Sequence, residues 1–149
     1  MISHRSHLIR LIVADFAARH VRRPRVFLPG RKLDRQALGE LGVPPFAPLT
    51  APDVVIHDLE KDWLLLFDAV TSGRHMNQAR REQMTGHFTP AGKRLAFFSA
   101  FADRNIFSRF AESIAWETEV WIADAPDHMI HYNGLRFLGP YPDDKTADA

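Results

Sequence analysis

The alternation of apolar and polar residues predicts an α/β protein with a mixed central sheet flanked by helices. Three observations lead there. Apolar positions recur at helical spacing in residues 6–21 and 104–115, whereas residues 53–58, 63–70 and 95–101 are short runs rich in β-branched and aromatic side chains. Turn-forming residues separate these runs. The 149 residues are 46% apolar with no cysteine, so a core of ordinary size has to hold by packing alone. A single domain over residues 1–149 is expected, with a frayed tail at 142–149.

The first expected helix covers residues 6–21, where Leu8, Ile9, Ile12, Val13 and Phe16 share one broad arc. Asp15 lies at the edge of that arc, facing either solvent or whatever packs beneath the helix. Pro24, Pro29 and Gly30 end the helical pattern, and Pro44, Pro45, Pro48 and Pro52 make residues 42–52 an irregular loop. From Asp53 the pattern turns to strands. Residues 53–58 and 63–70 are joined by a four-residue polar connection that reads as a hairpin turn. A helix is expected over residues 77–87, capped by Asn77, then a buried strand over 95–101. Asp103 is placed to cap a helix over 104–115, whose Ile106, Phe107, Phe110 and Ile114 recur at helical spacing. Strands over 119–124, 128–133 and 135–139 complete a meander, with Pro126-Asp127 and Asn133-Gly134 in its turns.

Composition narrows the function. Without cysteine there are no disulfides, zinc fingers, iron–sulfur clusters or thiol nucleophiles. No run approaches the roughly 18 apolar residues of a membrane span, and no cleavage signal comes after the first residues, so a cytoplasmic protein is expected. The net charge of +1 hides an asymmetry: residues 1–35 carry nine Lys or Arg against two acids, and the rest carries ten against sixteen. A basic arm (Arg19, Arg22, Arg23 and Arg25 at its centre) suits a polyanion, since clustered cations displace counterions from phosphates; a solvated helix face is the alternative.

Two aspartates stand out. Asp53 opens a strand directly after Pro52, and Asp68 comes after Leu64-Leu65-Leu66-Phe67 inside the neighbouring one. A carboxylate in such a run is costly unless paired. A divalent cation shared by both acids would serve, as would solvent at a strand end or an arginine. Proline–aspartate with a later strand acid is also the outline of the PD-(D/E)xK nuclease site, although Val70 stands two places after Asp68. Other chemistries find less support. His128 and His131 fall on opposite faces of a strand and do not converge on one ion; Ser72 lacks a G-x-S-x-G frame; Gly92-Lys93 lacks the spacing of a phosphate loop.

The stretches from Ile114 to Ala123, from Pro126 to Gly134 and from Arg136 to Pro140 closely resemble the end of BsuBI/PstI-type restriction endonucleases. Pro52-Asp53-Val54-Val55, Trp63, Ala69-Val70-Thr71-Ser72, Ala100-Phe101 with Asp103-Arg104, and Asp15-Phe16-Ala17 with Arg19 are similar to that family as well. The likeness covers about residues 8–141. It implies a restriction-endonuclease-like α/β core, Mg²⁺-dependent cleavage of double-stranded DNA and, in the named members, the palindrome CTGCAG. Palindromic targets imply a homodimer. Members are about twice this length, so the chain corresponds to their nuclease domain.

Carried over by position, Asp53 and Asp68 would bind the metal, with Asp15 as a third, outer ligand. The family's Lys-Arg pair on the next helix corresponds to Ala79-Arg80 here, with Arg81 next in the chain. Arg80 is therefore the candidate catalytic cation, and Arg81 joins Arg19, Arg22, Arg23 and Arg25 as candidate DNA contacts. The leading reading is a Mg²⁺-dependent type II endonuclease domain. A catalytically impaired DNA-binding relative and a small-molecule metallohydrolase built on the His-rich meander are the alternatives.

Overall fold

The computed structural model describes residues 3–133 together with Leu135 and Gly139. Ser3 caps the first helix, its hydroxyl accepting from the Ser6 amide at 3.0 Å. Helix α1 (His4–Leu11) leads into a π-helical stretch (Ile12–Phe16) and then α2 (Ala17–His20), so the expected single helix is interrupted at its middle. The wider turn leaves Leu8, Ile12, Phe16 and Ala17 all buried against the sheet.

Two elements that the proline and glycine pattern concealed come next. Strand β1 (Pro24–Phe27) begins on a proline, which an edge strand tolerates at its first residue, and α3 (Lys32–Glu40) buries Leu38 fully. The chain continues through β2 (Val54–Asp58), β3 (Trp63–Ala69), α4 (Gln78–Phe88), β4 (Arg94–Phe101), α5 (Arg104–Ser108), β5 (Thr118–Ile122) and β6 (Met129–Tyr132). Asp103 caps α5 as expected, its carboxylate accepting from the Ile106 amide at 2.9 Å. The helix is nevertheless shorter than residues 104–115: beyond Ser108 the chain continues in turns, which bring Phe107 and Phe110 against Phe101. The strand expected over 135–139 lies for the most part outside the described residues, as does the expected tail at 142–149.

The six strands lie side by side in chain order, with β3, β4 and β5 parallel and the remaining pairs antiparallel. The sheet is therefore mixed, with helices on both faces. Val54, Ile56, Leu65 and Phe67 pack under α1 and α2; Val55, Leu64 and Leu66 pack with Leu38 of α3 and Met84 and Phe88 of α4. Burial on both faces is why β2 and β3 read as unbroken apolar runs. Phe67 stacks on Phe98 at 4.4 Å with Phe16 edge-on at 4.8 Å, an aromatic contact of about 0.5–1.5 kcal/mol beyond area burial. Asp68 shares the side-chain direction of Leu64 and Leu66 and so points toward α4. No helix among the described residues is long and apolar enough to cross a membrane.

Candidate active site

The antiparallel register, with Val54 opposite Phe67, brings Asp53 opposite Asp68 at the end of the β2–β3 ladder. The Asp53 amide donates to the Phe67 carbonyl at 2.8 Å, and the Ala69 amide donates to Asp53 Oδ2 at 2.8 Å. The Asp53 carboxylate thus takes the place of the next backbone acceptor. The strands part here because Pro52 has no amide with which to continue the ladder. Both side chains are buried, Asp68 completely.

Three arginines neutralise the two acids. Asn77 caps α4 by accepting from the Arg80 amide, which sets the first turn of the helix over β3. From there Arg80 reaches Asp68 in a two-pronged ion pair, Nε to Oδ2 and Nη2 to Oδ1, both 3.0 Å. Its Nη1 donates to the Thr50 carbonyl at 2.7 Å and to Gln83 Oε1 at 2.8 Å. Arg74 comes from the connection between β3 and α4, where Gly73 supplies a turn at φ 75° and the Met76 amide is anchored on Ser99 Oγ. Arg74 Nη2 donates to Asp53 Oδ1 at 3.2 Å, and its Nε lies 3.5 Å from Asp68 Oδ1. From α1, Arg5 also donates to Asp53 Oδ1, and chiefly that hydrogen bond raises the Arg5 guanidinium above the ordinary arginine value.

Asp53 lines a cleft of about 810 Å³ together with Arg5, Arg31, Arg35, Arg74, Leu28, Phe46 and Pro48, while Asp68 lies fully buried behind it. A smaller neighbouring cavity is lined by Thr50, Arg74, Asn77, Ala79, Arg80 and Gln83. Two hard carboxylate oxygens that already share one cationic group suit Mg²⁺, which is commonly held by one or two carboxylates with substrate phosphates completing the shell. Among the described residues no third histidine or acid joins them. Asp15 lies in the π-helical stretch and, among the described residues, forms no metal-holding group with the two aspartates. The outer ligand expected there is not brought to the site.

The basic arm disperses in three dimensions. Arg19 pairs with Asp127 at 2.7 Å and Arg22 with Glu60 at 3.6 Å, while Arg25 lies over the Phe27 ring. The Arg23 carbonyl accepts from Leu59, and Pro24 pairs with Asp58, so Arg22 and Arg23 flank the β2–β3 turn. That turn is about 17 Å of strand away from Asp53. Arg81 pairs with Glu117 at 3.3 Å and covers the Phe97 ring instead of facing the acids. The histidines also stay apart: His57 contacts Asp62, His131 contacts Glu119, and no three-ligand zinc site forms among the described residues. Arg5, Arg31, Arg35 and Arg74 were not singled out by sequence. For Arg5, Arg31 and Arg35 the cue was their membership of the basic segment 1–35, and for Arg74 its position just after the strand acid and its Ser72-Gly73 turn.

A proline–aspartate opening one strand, a second acid inside the next, and a mixed sheet between helices define the restriction-endonuclease-like class of nuclease folds. Residues 2–135 match the BsuBI/PstI restriction endonuclease domain, and the chain belongs to that family. The type II restriction enzyme BsuBI of Bacillus subtilis is 41% identical over 91% of this chain and 45% of its own length. The type II restriction enzyme AplI of Arthrospira platensis is 34% identical over 58% of the chain and 27% of its own. The solved structure of SdaI restriction endonuclease superposes with a TM-score of 0.82 at 32% identity, over 93% of this chain and 46% of that one. The chain thus spans less than half the length of these relatives.

Proposed function

We propose that residues 1–149 form one nuclease domain that hydrolyses phosphodiester bonds in double-stranded DNA, as a type II site-specific endonuclease dependent on Mg²⁺. The observation that carries this reading is the pairing of Asp68 across adjacent strands with Asp53, which lines an arginine-rich cleft. In it, Asp53 and Asp68 hold the metal, which when bound supplies a Lewis acid for the scissile phosphate. Arg31 and Arg35 track the phosphates of the strand lying in the cleft, while Arg5 steadies charge next to Asp53. Arg80 has four of its five donors spent on Asp68, Thr50 and Gln83, so it acts by fixing the Asp68 carboxylate. Two copies around a twofold axis suit a palindromic site, and the DNA substrate suits the cytoplasm.

One observation favours a second reading, a DNA-binding relative with impaired catalysis. Ala79 lines the cavity beside Arg80 at the position where the family resemblance places a lysine, and Lys93 is committed to Asp62 at the far end of β3. Incubating supercoiled plasmid with the protein in Mg²⁺ or in chelator separates the two. Metal-dependent nicking or linearisation supports the enzyme, whereas binding without cleavage in Mg²⁺ and Mn²⁺ supports the impaired relative.

A further inference from the structure

Arg74 is the side chain that bridges the two aspartates. Its guanidinium spans Asp53 Oδ1 and Asp68 Oδ1 at 3.2 and 3.5 Å. Three arginines face two carboxylates, so one positive charge is in excess, and the three are held unequally. The Arg80 side chain is 6% exposed, two-pronged on Asp68 and tied to Thr50 and Gln83. Arg5 is 53% exposed and touches only Asp53. Arg74 is 30% exposed, and its remaining tie is the Leu49 carbonyl at 3.1 Å. It lines both the main cleft and the neighbouring cavity, so space for another orientation lies on either side.

We propose that Arg74 holds the cation's place in the free domain and surrenders it to divalent metal when a DNA phosphate enters the cleft. A guanidinium and a divalent ion on the same carboxylate oxygens repel each other; Arg5 meets Asp53 alone, whereas Arg74 bridges both acids, so a metal shared by the two requires Arg74 to leave. A phosphodiester is its natural destination, because the planar fork of arginine matches phosphate oxygens and exchanges one anion for another without leaving the cation unpaired. Metal and DNA then load cooperatively, each raising the affinity for the other by the same factor. This deepens the nuclease reading and rests on it.

The test reads binding, not cleavage. Mn²⁺ is titrated into the full chain and free Mn²⁺ monitored by electron paramagnetic resonance, for the parent, Arg74→Ala and Asp53→Asn. In parallel, a short labelled duplex is titrated by fluorescence anisotropy with and without Ca²⁺. Arg74→Ala leaves Arg5 on Asp53 and Arg80 on Asp68, so the carboxylates keep partners and the fold is retained. Without DNA, Arg74→Ala should bind Mn²⁺ roughly tenfold more tightly than the parent, and Ca²⁺ should strengthen duplex binding by the parent at least about fivefold but by the variant much less. Mn²⁺ affinity unchanged in Arg74→Ala yet lost in Asp53→Asn overturns the Arg74 role and leaves the metal site standing. Mn²⁺ affinity unchanged in Asp53→Asn as well removes the metal site, and the proposal with it.

Discussion

Replacing Arg80 with alanine would strand a carboxylate that has no exposure to water. Asp68 is 0% exposed and accepts both prongs of Arg80 at 3.0 Å, so the truncation leaves a buried charge with only Arg74, 3.5 Å away, to compensate it. Breaking a buried pair by removing one partner typically costs about 3–5 kcal/mol, and the nearby Arg74 argues for the lower end, about 3 kcal/mol. For a chain of this size each kcal/mol shifts the melting temperature by roughly 2–4 °C, so Arg80→Ala should melt about 6–12 °C below the parent at neutral pH. Calorimetry or circular dichroism melts measure this directly. Arg81→Ala is the internal control: its pair with the largely exposed Glu117 is worth about 1 kcal/mol or less, and its shift should be a few degrees at most. Combining Arg80→Met with Asp68→Leu removes both charges and should recover most of the loss. If Arg80→Ala melts with the parent, or no lower than Arg81→Ala, the buried-pair argument is wrong.

Three further outcomes are expected. Arg31→Ala and Arg35→Ala should each shallow the slope of log K against log salt for duplex DNA by roughly one unit, while Arg22→Ala and Arg23→Ala, at the β2–β3 turn, should leave it nearly unchanged; filter binding across salt decides. Ala79→Lys, facing the cavity beside Arg80, should raise the Mg²⁺-dependent cleavage rate by roughly tenfold or more, read from plasmid time courses; a slower or equal rate argues against a missing lysine. Burial raises the Glu119 carboxyl above its ordinary value, partly opposed by His131. Between the unfolded and the raised folded pKa the folded state binds more protons, so this group's contribution falls as pH rises through that range. Glu119→Gln should therefore melt above the parent at neutral pH, with the gap closing below the ordinary glutamate value of about 4.3.

The pair at the centre of the site was legible in sequence because Asp68 violates an apolar run and Asp53 stands after a proline at the start of another. Those are local facts, and the hairpin between the runs fixed their adjacency. The environment of the pair was not legible, since Arg5 lies 48 residues from the acid it meets and no periodicity marks Arg74. The basic arm shows the reverse failure. Its arginines are neighbours along the chain, but one strand length separates Arg22 and Arg23 from the cleft that Arg31 and Arg35 line. Strand β1 and helix α3 escaped notice because their prolines and Gly30 read as punctuation, and because so short a helix buries only Leu38 completely. The contrast between Arg80 and Arg81 did emerge from helical geometry: successive residues point about 100° apart, and only one can face β3.

The central claim is that Asp53 and Asp68 together form the hydrolytic centre. Asp68→Asn tests it most directly: the side chain adds no volume and its amide oxygen keeps one of the two Arg80 prongs, at the expense of the other, while the charge that would hold a metal is gone. The measurement is single-turnover conversion of supercoiled plasmid in Mg²⁺, parent against Asp68→Asn, with both proteins verified as folded by their melts. The account predicts metal-dependent cleavage by the parent and a loss of at least about 10² in the variant. Cleavage by Asp68→Asn at the parental rate would contradict it.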